Sequence, residues 1–192
     1  MVDQPDQFLI ERAQQGDDNA VALLYRRYVS AITRYIAYRV SDNAVVEDLT
    51  AEVFLRMVES LPGYRFTGAP FEAWLYRIAA ARVSDHYRAR QRHPQEALTE
   101  ALHDGHKPLE ITLQDQQELD ELRAALHELS EEQQTILLLR FVERKSHGEV
   151  ALIIDKSVRA VATIQHRALK RLAELLGTAK KGRYYIRGDR HE

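Results

Sequence analysis

The sequence has no cysteine and little glycine or proline. Without cysteine, the 192-residue chain has no disulfide scaffold, thiol nucleophile or thiolate metal site, and this composition suits the cytoplasm. Eight glycines and five prolines disfavour turn-rich all-β folds and glycine-rich nucleotide loops. No apolar run approaches the roughly 20 residues that span a bilayer, and the first residues lack the layout of a signal peptide. We therefore expect a cytoplasmic protein without a membrane span.

The charges are segregated along the chain, although the net charge is only −2. Residues 76–93 carry five arginines and one acid, residues 94–135 carry two bases and eleven acids, and residues 156–187 carry nine bases and one acid. Basic segments attract polyanions through counterion release. The segregation therefore indicates two nucleic-acid contacts in one chain, although each basic run alone is also typical of a solvated helix face.

Apolar residues recur three or four apart in two long stretches, which predicts amphipathic helices and an all-α fold. In the first stretch we expect Gly16 to stop one helix, Asp18 to cap the next, and Ser41 or Asp42 to cap a third. In the second stretch, Ser130 and the glutamine three residues later form a capping-box pattern. The predicted organisation is two small helical domains joined by a flexible acidic linker. The proposed limits are 1–92 for the first domain, 93–114 for the linker, 115–177 for the second domain and 178–192 for a basic tail.

Residues 146–172 have the pattern of a helix-turn-helix: a short helix, a tight turn and a longer basic helix. We expect Val150, Ile153, Val161 and Leu169 to hold the two helices together, and Ser157 to cap the second. Its exposed side would then meet a DNA duplex, with some side chains at base edges and others at phosphates. Two ordinary packed helices would show the same periodicity. The residues placed for duplex DNA are Lys156, Ser157, Arg159, Ala160, Thr163, Arg167 and Lys170.

Motifs in both stretches resemble conserved regions of bacterial sigma factors of the sigma-70 family. The helix-turn-helix resembles the fourth conserved region through Glu149-Val150-Ala151 and Arg167-Ala168-Leu169-Lys170-Arg171-Leu172. Two segments of the first stretch resemble the second conserved region. One resembles its polymerase-docking helix and reads Glu47-Asp48-Leu49-Thr50-Ala51-Glu52-Val53-Phe54-Leu55-Arg56. The other resembles its promoter-facing helix and contains Trp74-Leu75-Tyr76-Arg77-Ile78-Ala79. Both regions in this order, over about residues 6–176, resemble the extracytoplasmic-function (ECF) sigma factors.

The resemblance implies a transcription-initiation factor that binds core RNA polymerase, directs it to specific promoters and assists promoter melting. The implied partners are core RNA polymerase (the coiled coil of its largest subunit and its flap region), promoter DNA and an anti-sigma factor. We expect no enzymatic activity, cofactor or metal. The alternative is a stand-alone helix-turn-helix regulator of duplex DNA, which would not need residues 47–56. An enzyme that uses the histidines or acids is a third possibility.

The resemblance also implies which residues would make these contacts. The acidic linker would run through the RNA path of the polymerase. Leu49 and Val53 are also compatible with a core position, as is Trp74, and Tyr64 and Phe66 could instead close their loop onto the domain. The implied polymerase-binding residues are Asp48, Leu49, Glu52, Val53 and Phe54. The implied contacts to the minus-ten element are Tyr64, Phe66, Trp74, Arg77, Arg82, His86 and Arg88.

The sequence departs from the family pattern at three places. Ala80 and Ala81 stand where Arg-Asn is common in the promoter-facing helix. Asp155 stands where the turn of the helix-turn-helix usually has glycine, and an aspartate adopts a left-handed backbone at a greater energetic cost. Ile164 is unusual on a face that would bind DNA. Because Ala80 and Ala81 lack those side chains, we expect promoter melting to depend on other residues. Because the recognition helix lacks the lysine and arginine that are common there, either bases of the tail compensate, or this domain binds DNA weakly or binds mainly a partner protein.

Overall fold

The structure is a computed structural model that describes residues 4–92 and 113–188, here called the first and second halves. Within these ranges the regular secondary structure is helical, which confirms the predicted all-α class. The first half contains α1 (Asp6–Gln14), α2 (Asp18–Ala37), α3 (Asn43–Ser60), a 3-10 turn (Leu61–Gly63) and α4 (Phe71–Arg92). The second half contains α5 (Leu113–His127), α6 (Glu131–Leu137), a π-helical turn (Leu138–Val142), α7 (His147–Ile154) and α8 (Val158–Gly188).

Polar side chains cap the helices where the sequence changes from loop to apolar period. Asp17 caps α2 by accepting hydrogen bonds from two backbone N–H groups at 2.9 and 3.3 Å, and Asp42 caps α3 in the same way. Reciprocal capping boxes begin α6 at Ser130 and α7 at Ser146. The capping box predicted at Ser130 is thus confirmed, whereas the cap of α2 is Asp17 and not the predicted Asp18.

The four helices of the first half share a buried apolar core. Leu9 of α1, Leu24 of α2, Val53 of α3, and Phe71 and Leu75 of α4 are all inaccessible to solvent. Burial of a side chain of this size stabilises a fold by about 1.5–3 kcal/mol. The core therefore fixes the direction in which each helix presents its polar face.

The second half buries the inner faces of α6, α7 and α8 against one another. Val150 of α7 packs in this core with Val161 and Ala168 of α8. The prediction that Leu169 holds the helix pair together is wrong, because 37% of Leu169 is exposed. Residues 161 and 168 are two helical turns apart and share a face, so Ala168 occupies the inward position.

The two halves pack against each other, which the sequence did not indicate. Buried residues of both halves belong to one hydrophobic cluster. Arg34 of α2 donates two hydrogen bonds to the Glu143 carboxylate at 3.0 and 2.9 Å. Lys145 forms an ion pair with Glu72 of α4 at 2.7 Å, and both side chains are largely buried. We call these two ion pairs the clasp.

The backbone after α6 places both clasp residues of the second half. The π-helical turn ends with a hydrogen bond from the Glu143 N–H to the Leu138 carbonyl at 3.1 Å. Arg144 then adopts a left-handed conformation with φ of 55°. This reversal separates Glu143 from Lys145, so that one contacts α2 and the other contacts α4.

Two predicted boundaries need correction. The last helix does not end at Gly177 but continues to Gly188, because a glycine lowers helix stability without ending a helix whose neighbours favour it. Helix α5 begins at Leu113, within the predicted linker. The other linker residues, 93–112, lie outside the described residues, as does the predicted path of the linker through the polymerase. In the two described ranges, none of the helices is long and apolar enough to cross a bilayer.

Candidate functional site

An acidic face lies on the outer side of α3. Asp48 and Glu52 are both exposed, and residues four apart lie on the same side of a helix. Leu49 and Val53 of the same helix are buried, so the core of the first half holds this face in place. Two exposed carboxylates one turn apart can bind basic side chains of a partner.

The apolar residues predicted for the same contact are not at the surface. Leu49, Val53 and Phe54 are buried in the core of the first half, and the Phe54 ring meets the Tyr25 ring edge-on at a centroid distance of 4.8 Å. The expectation that these three residues offer apolar contact area is therefore wrong. The alternative core position of Leu49 and Val53 is confirmed.

Other residues of α3 supply exposed apolar surface. Leu55 is 61% exposed and Val58 is 46% exposed. Leu55 lines a groove of about 350 Å³ with Glu52, Glu59 and Arg82 of α4. The sequence signal for Leu55 was present, because positions 48, 52, 55 and 59 recur three or four apart on one face.

The loop between α3 and α4 separates its two aromatic residues. Tyr64 is half-buried, with its ring 5.3 Å from the Phe71 ring and 4.8 Å from the partly buried Trp74 ring. Burial raises the pKa of the Tyr64 phenol. Phe66 is 50% exposed. The alternative that the two aromatic residues close the loop onto the domain therefore holds for Tyr64, whereas the Phe66 ring is exposed.

The loop is held in place from α1. The Gln14 side-chain amide donates hydrogen bonds to the carbonyls of Leu61 and Tyr64 at 3.0 and 2.8 Å. Gly68 has φ of 86°, a conformation that side chains other than glycine's rarely adopt. These contacts orient the exposed Phe66 ring relative to α4.

The basic residues predicted for the minus-ten element lie along α4. Arg77 and Arg88 are exposed, whereas Arg82 and His86 are partly exposed. Asp85 pairs with both Arg82 and Arg88, at 2.8 and 3.2 Å. Exposed pairs of this kind contribute little stability, so both arginines can exchange Asp85 for a phosphate.

The turn of the helix-turn-helix is built as the sequence pattern indicates. The Ser157 hydroxyl accepts a hydrogen bond from the Ala160 N–H at 3.2 Å and caps α8. Asp155 adopts the left-handed conformation, with φ of 55° and ψ of 54°. The hydrogen bond from the Lys156 N–H to the Ala151 carbonyl, 3.0 Å long, closes the turn.

The polar residues predicted for duplex DNA lie on the outer side of this turn and of α8. Ala160 is half-buried, and Thr163 donates a hydrogen bond to the Arg159 carbonyl at 2.9 Å. Ile164 is partly buried and packs against the core. It therefore does not lie on the face that would bind DNA. The exposed members of the set are Lys156, Ser157, Arg159, Thr163, Arg167 and Lys170.

One of these bases already has a partner within the chain. Lys156 forms an ion pair with Glu132 of α6 at 3.0 Å, and both side chains are about 40% exposed. The pair is accessible to solvent and is therefore weak. In the described ranges, no group of three or more histidines and acids could hold a metal ion.

Family models match both halves of the chain. A model described as Sigma-70 region 2 matches residues 24–93, and a model described as Sigma-70, region 4 matches residues 119–172. The first match contains the acidic face of α3 and the aromatic loop. The second contains the helix-turn-helix.

Curated relatives match most of the chain. ECF RNA polymerase sigma factor BldN of Streptomyces coelicolor is 36% identical over 172 residues, which are 88% of this chain and 64% of BldN. The chain thus spans slightly less than two thirds of that relative. ECF RNA polymerase sigma factor SigD of Mycobacterium tuberculosis is 32% identical over 173 residues, which are 86% of this chain and 81% of SigD.

Solved structures share the fold. CnrH, solved in complex with the cytosolic domain of CnrY, has a TM-score of 0.65 and 22% identity, and the match covers 90% of this chain and 97% of that one. The sigma factor RpoE of Bartonella quintana, solved with the anti-sigma factor NepR, has a TM-score of 0.53 and 20% identity over 80% of this chain and 94% of that one.

Proposed function

Because this chain belongs to the ECF sigma factors of the sigma-70 family, we propose that it recruits core RNA polymerase to promoters and helps to open them. One observation carries the proposal: an acidic face on α3 and a basic helix-turn-helix face are present in one chain. A stand-alone regulator needs only the second face. The proposed domain limits are those stated from the sequence, with α5 and α8 extended as described.

Polymerase binding is assigned to α3. Asp48 and Glu52 supply charge, and Leu55 and Val58 supply exposed apolar area beside it. Interfaces of this kind combine an apolar centre with a polar rim. Leu49, Val53 and Phe54 contribute by holding the helix against the core.

Promoter opening is assigned to the α3–α4 loop and α4. An unstacked base is stabilised by stacking on an aromatic side chain, and the exposed Phe66 ring is available for this contact. Tyr64 and Trp74 pack beside this loop and support it. Arg77 and Arg88 lie further along α4. The basic residues of α4 hold the phosphates of the separated strand.

Recognition of the minus-thirty-five element as duplex is assigned to α8. Its first two turns, with Arg159 and Thr163 exposed, are the part that a helix-turn-helix directs into the major groove. Arg167 and Lys170 lie one and two turns further along and meet phosphates. The basic charge of this helix adds affinity that falls with rising salt concentration.

We also propose an anti-sigma protein as a regulatory partner, a cytoplasmic location and the absence of catalysis by the chain itself. CnrH and the Bartonella RpoE were solved in complexes, the latter with an anti-sigma factor. The exposed apolar residues of this chain, among them Leu55, Phe141 and Leu152, provide surface that a protein partner would bury.

In vitro transcription with purified core polymerase on a promoter library tests the proposal. The wild-type chain is expected to direct specific transcripts. The double variant Asp48→Arg/Glu52→Arg is expected to lose core binding in a pull-down and to lose transcription, because it places like charges against a basic partner. A matched control, Glu11→Arg/Glu128→Arg, changes the net charge equally at exposed positions on α1 and after α5, and should retain both activities.

The alternative of a stand-alone regulator has a distinct outcome. The wild-type chain would then bind duplex DNA in a gel-shift assay without core polymerase, and the pull-down would recover no polymerase. That combination would overturn the proposed function.

A further inference from the structure

A cavity lies where the two halves meet, between the C-terminal ends of α2 and α4 and the C-terminal half of α5. Its volume is about 370 Å³, which is within the range of small-ligand sites. The first half contributes Arg39, Tyr87 and Arg90, and the second half contributes Asp120, Arg123 and His127. Three arginines therefore share the cavity with one aspartate.

Arg39 is the unusual member of this set. Only 3% of the residue is exposed, its Nη1 donates to the Tyr35 hydroxyl at 2.9 Å, and its guanidinium lies 5.6 Å from the centroid of the Tyr35 ring. Its buried Nε has no hydrogen-bond partner. It pairs with no carboxylate in the part of the chain that the structure describes. A buried charge without an ion-pair partner is energetically costly.

Helix capping accounts for some of the other polar groups. Arg123 donates to the Ala37 carbonyl at 3.1 and 2.9 Å and to Asp120 at 3.0 Å. A His127 ring nitrogen lies 2.9 Å from the Arg39 carbonyl oxygen. Cations and donors at the C-terminal end of a helix satisfy its carbonyls. Helix capping therefore explains the positions of the Arg123 and His127 side chains. It does not explain the positions of the Arg39 and Arg90 guanidinium groups.

Tyr87 and His127 form an aromatic part of the cavity lining. The Tyr87 ring meets the His127 ring edge-on at 4.4 Å, and burial raises the pKa of the Tyr87 phenol. The charges of Arg39, Arg90 and Arg123 all act on this phenol in the opposite direction. Burial also lowers the pKa of His127, so the imidazole is neutral at pH 7 and the arginines dominate the charge of the cavity.

We propose that this cavity binds a small anion with two or more linked phosphates. Arginine guanidinium groups bind phosphate oxygens with paired hydrogen bonds, and Arg39, Arg90 and Arg123 all line this cavity. Because both halves line the cavity, the bound anion favours the arrangement in which they are packed together. A metabolite of this class would thus oppose separation of the two halves.

Calorimetric titration of the full chain with pyrophosphate tests the proposal. We expect saturable binding and a rise in the melting temperature with pyrophosphate concentration. Arg90→Gln changes an exposed side chain and should weaken binding about tenfold, the effect of one charge-assisted hydrogen bond. Arg39→Gln should abolish binding. The control Arg26→Gln removes an exposed arginine elsewhere on α2 and should bind as the wild type does.

A variant that is expected to bind pyrophosphate more tightly distinguishes an effect on binding from a loss of folding. Asp120→Asn removes the acid that competes for Arg123, so pyrophosphate should bind several times more tightly. A parallel titration with ATP distinguishes a free polyphosphate from a nucleotide. Equal affinity of Arg90→Gln and Arg26→Gln for pyrophosphate, or no gain in Asp120→Asn, would overturn the proposal. So would an Arg90→Gln defect seen with duplex DNA alone, since Arg90 would then belong to the DNA surface.

Discussion

At the residue scale, the candidate site depends on which aromatic groups the core retains. Tyr64, Phe71 and Trp74 contact one another, while Phe66 extends from the same loop with half its surface free. A periodic pattern cannot distinguish them, because a loop has no period. Only the tertiary contacts show that Tyr64 belongs to the aromatic cluster and that Phe66 is exposed.

Replacing Tyr64 and Phe66 separately should affect different properties of the protein. Tyr64→Ala should lower the free energy of unfolding by about 1–3 kcal/mol, since it removes a half-buried ring from an aromatic cluster. Phe66→Ala should change it by less than about 0.5 kcal/mol and yet reduce promoter opening. Urea denaturation measures the first effect, and permanganate reactivity of the opened bases measures the second. A large loss of stability in Phe66→Ala would contradict this division.

His127 should make the packing of the two halves sensitive to pH. Burial lowers the pKa of His127 from its ordinary value of 6.5, and the Arg39 charge acts in the same direction, whereas Glu128 and the hydrogen bond to the Arg39 carbonyl oppose it. The unfolded chain therefore binds more protons below pH 6.5, and stability falls as the pH falls from 6.5 toward the lowered pKa.

The measurement is the melting temperature of the full chain between about pH 7.5 and pH 5.5, a range that brackets this titration. The wild type should lose more stability over this range than His127→Gln, which has no titrating ring at this position. The other histidines are common to both proteins and cancel in the difference. Parallel curves for the two proteins would show that His127 does not contribute.

At the element scale, the sequence predicted most of the helices because each has its own local signals. Ser130 and Ser146 precede apolar periods and form capping boxes, so their helices begin where the pattern indicates. Burial within an element was less predictable: Phe54 and Leu55 are adjacent and equally apolar, but only Phe54 faces the core. The packing of α2 and α4 against the second half was not predictable, since it involves side chains that ordinary surface helices also carry.

The left-handed Asp155 provides a test at this scale. Left-handed geometry costs roughly 1–2 kcal/mol for residues other than glycine, so Asp155→Gly should raise the free energy of unfolding by about 0.5–1 kcal/mol after the entropy of the unfolded chain is included. Ala162→Gly, at an exposed position inside α8, should lower it by about 1 kcal/mol. Urea denaturation of both variants measures these changes, and a loss of stability in Asp155→Gly would contradict the prediction.

At the scale of the whole molecule, the clasp and the shared hydrophobic cluster hold two family regions in one compact arrangement. The clasp uses Glu72, in the first turn of the helix assigned to the minus-ten element. It also uses Glu143, whose carboxylate is almost fully buried against Arg34 and holds the pKa of Arg34 above its ordinary value. Helix α4 therefore has a partner within the chain as well as the one proposed for it in the complex.

Breaking the clasp should let the halves separate. Arg34→Ala/Lys145→Ala leaves both acceptor carboxylates without their cations, and the Glu72 charge then remains largely buried and unpaired. Small-angle X-ray scattering should show a larger radius of gyration for this variant than for the wild type. Arg56→Ala/Arg171→Ala removes two cations from exposed pairs within single helices and should scatter as the wild type does. An unchanged radius in the clasp variant would show that the shared cluster and the other hydrogen bonds between the halves hold them together without the clasp.

The position of the clasp along the chain has a consequence during synthesis. Residues 4–92 emerge from the ribosome before Lys145 does, because Lys145 follows them by about 50 residues, and translation at about 5–20 residues per second makes this interval several seconds. During this interval Glu72 and Arg34 of the nascent chain are without their clasp partners. A partner of α4 that meets the growing chain in that interval would find its first turn uncovered, whereas a partner that meets the finished chain would compete with the Lys145–Glu72 ion pair.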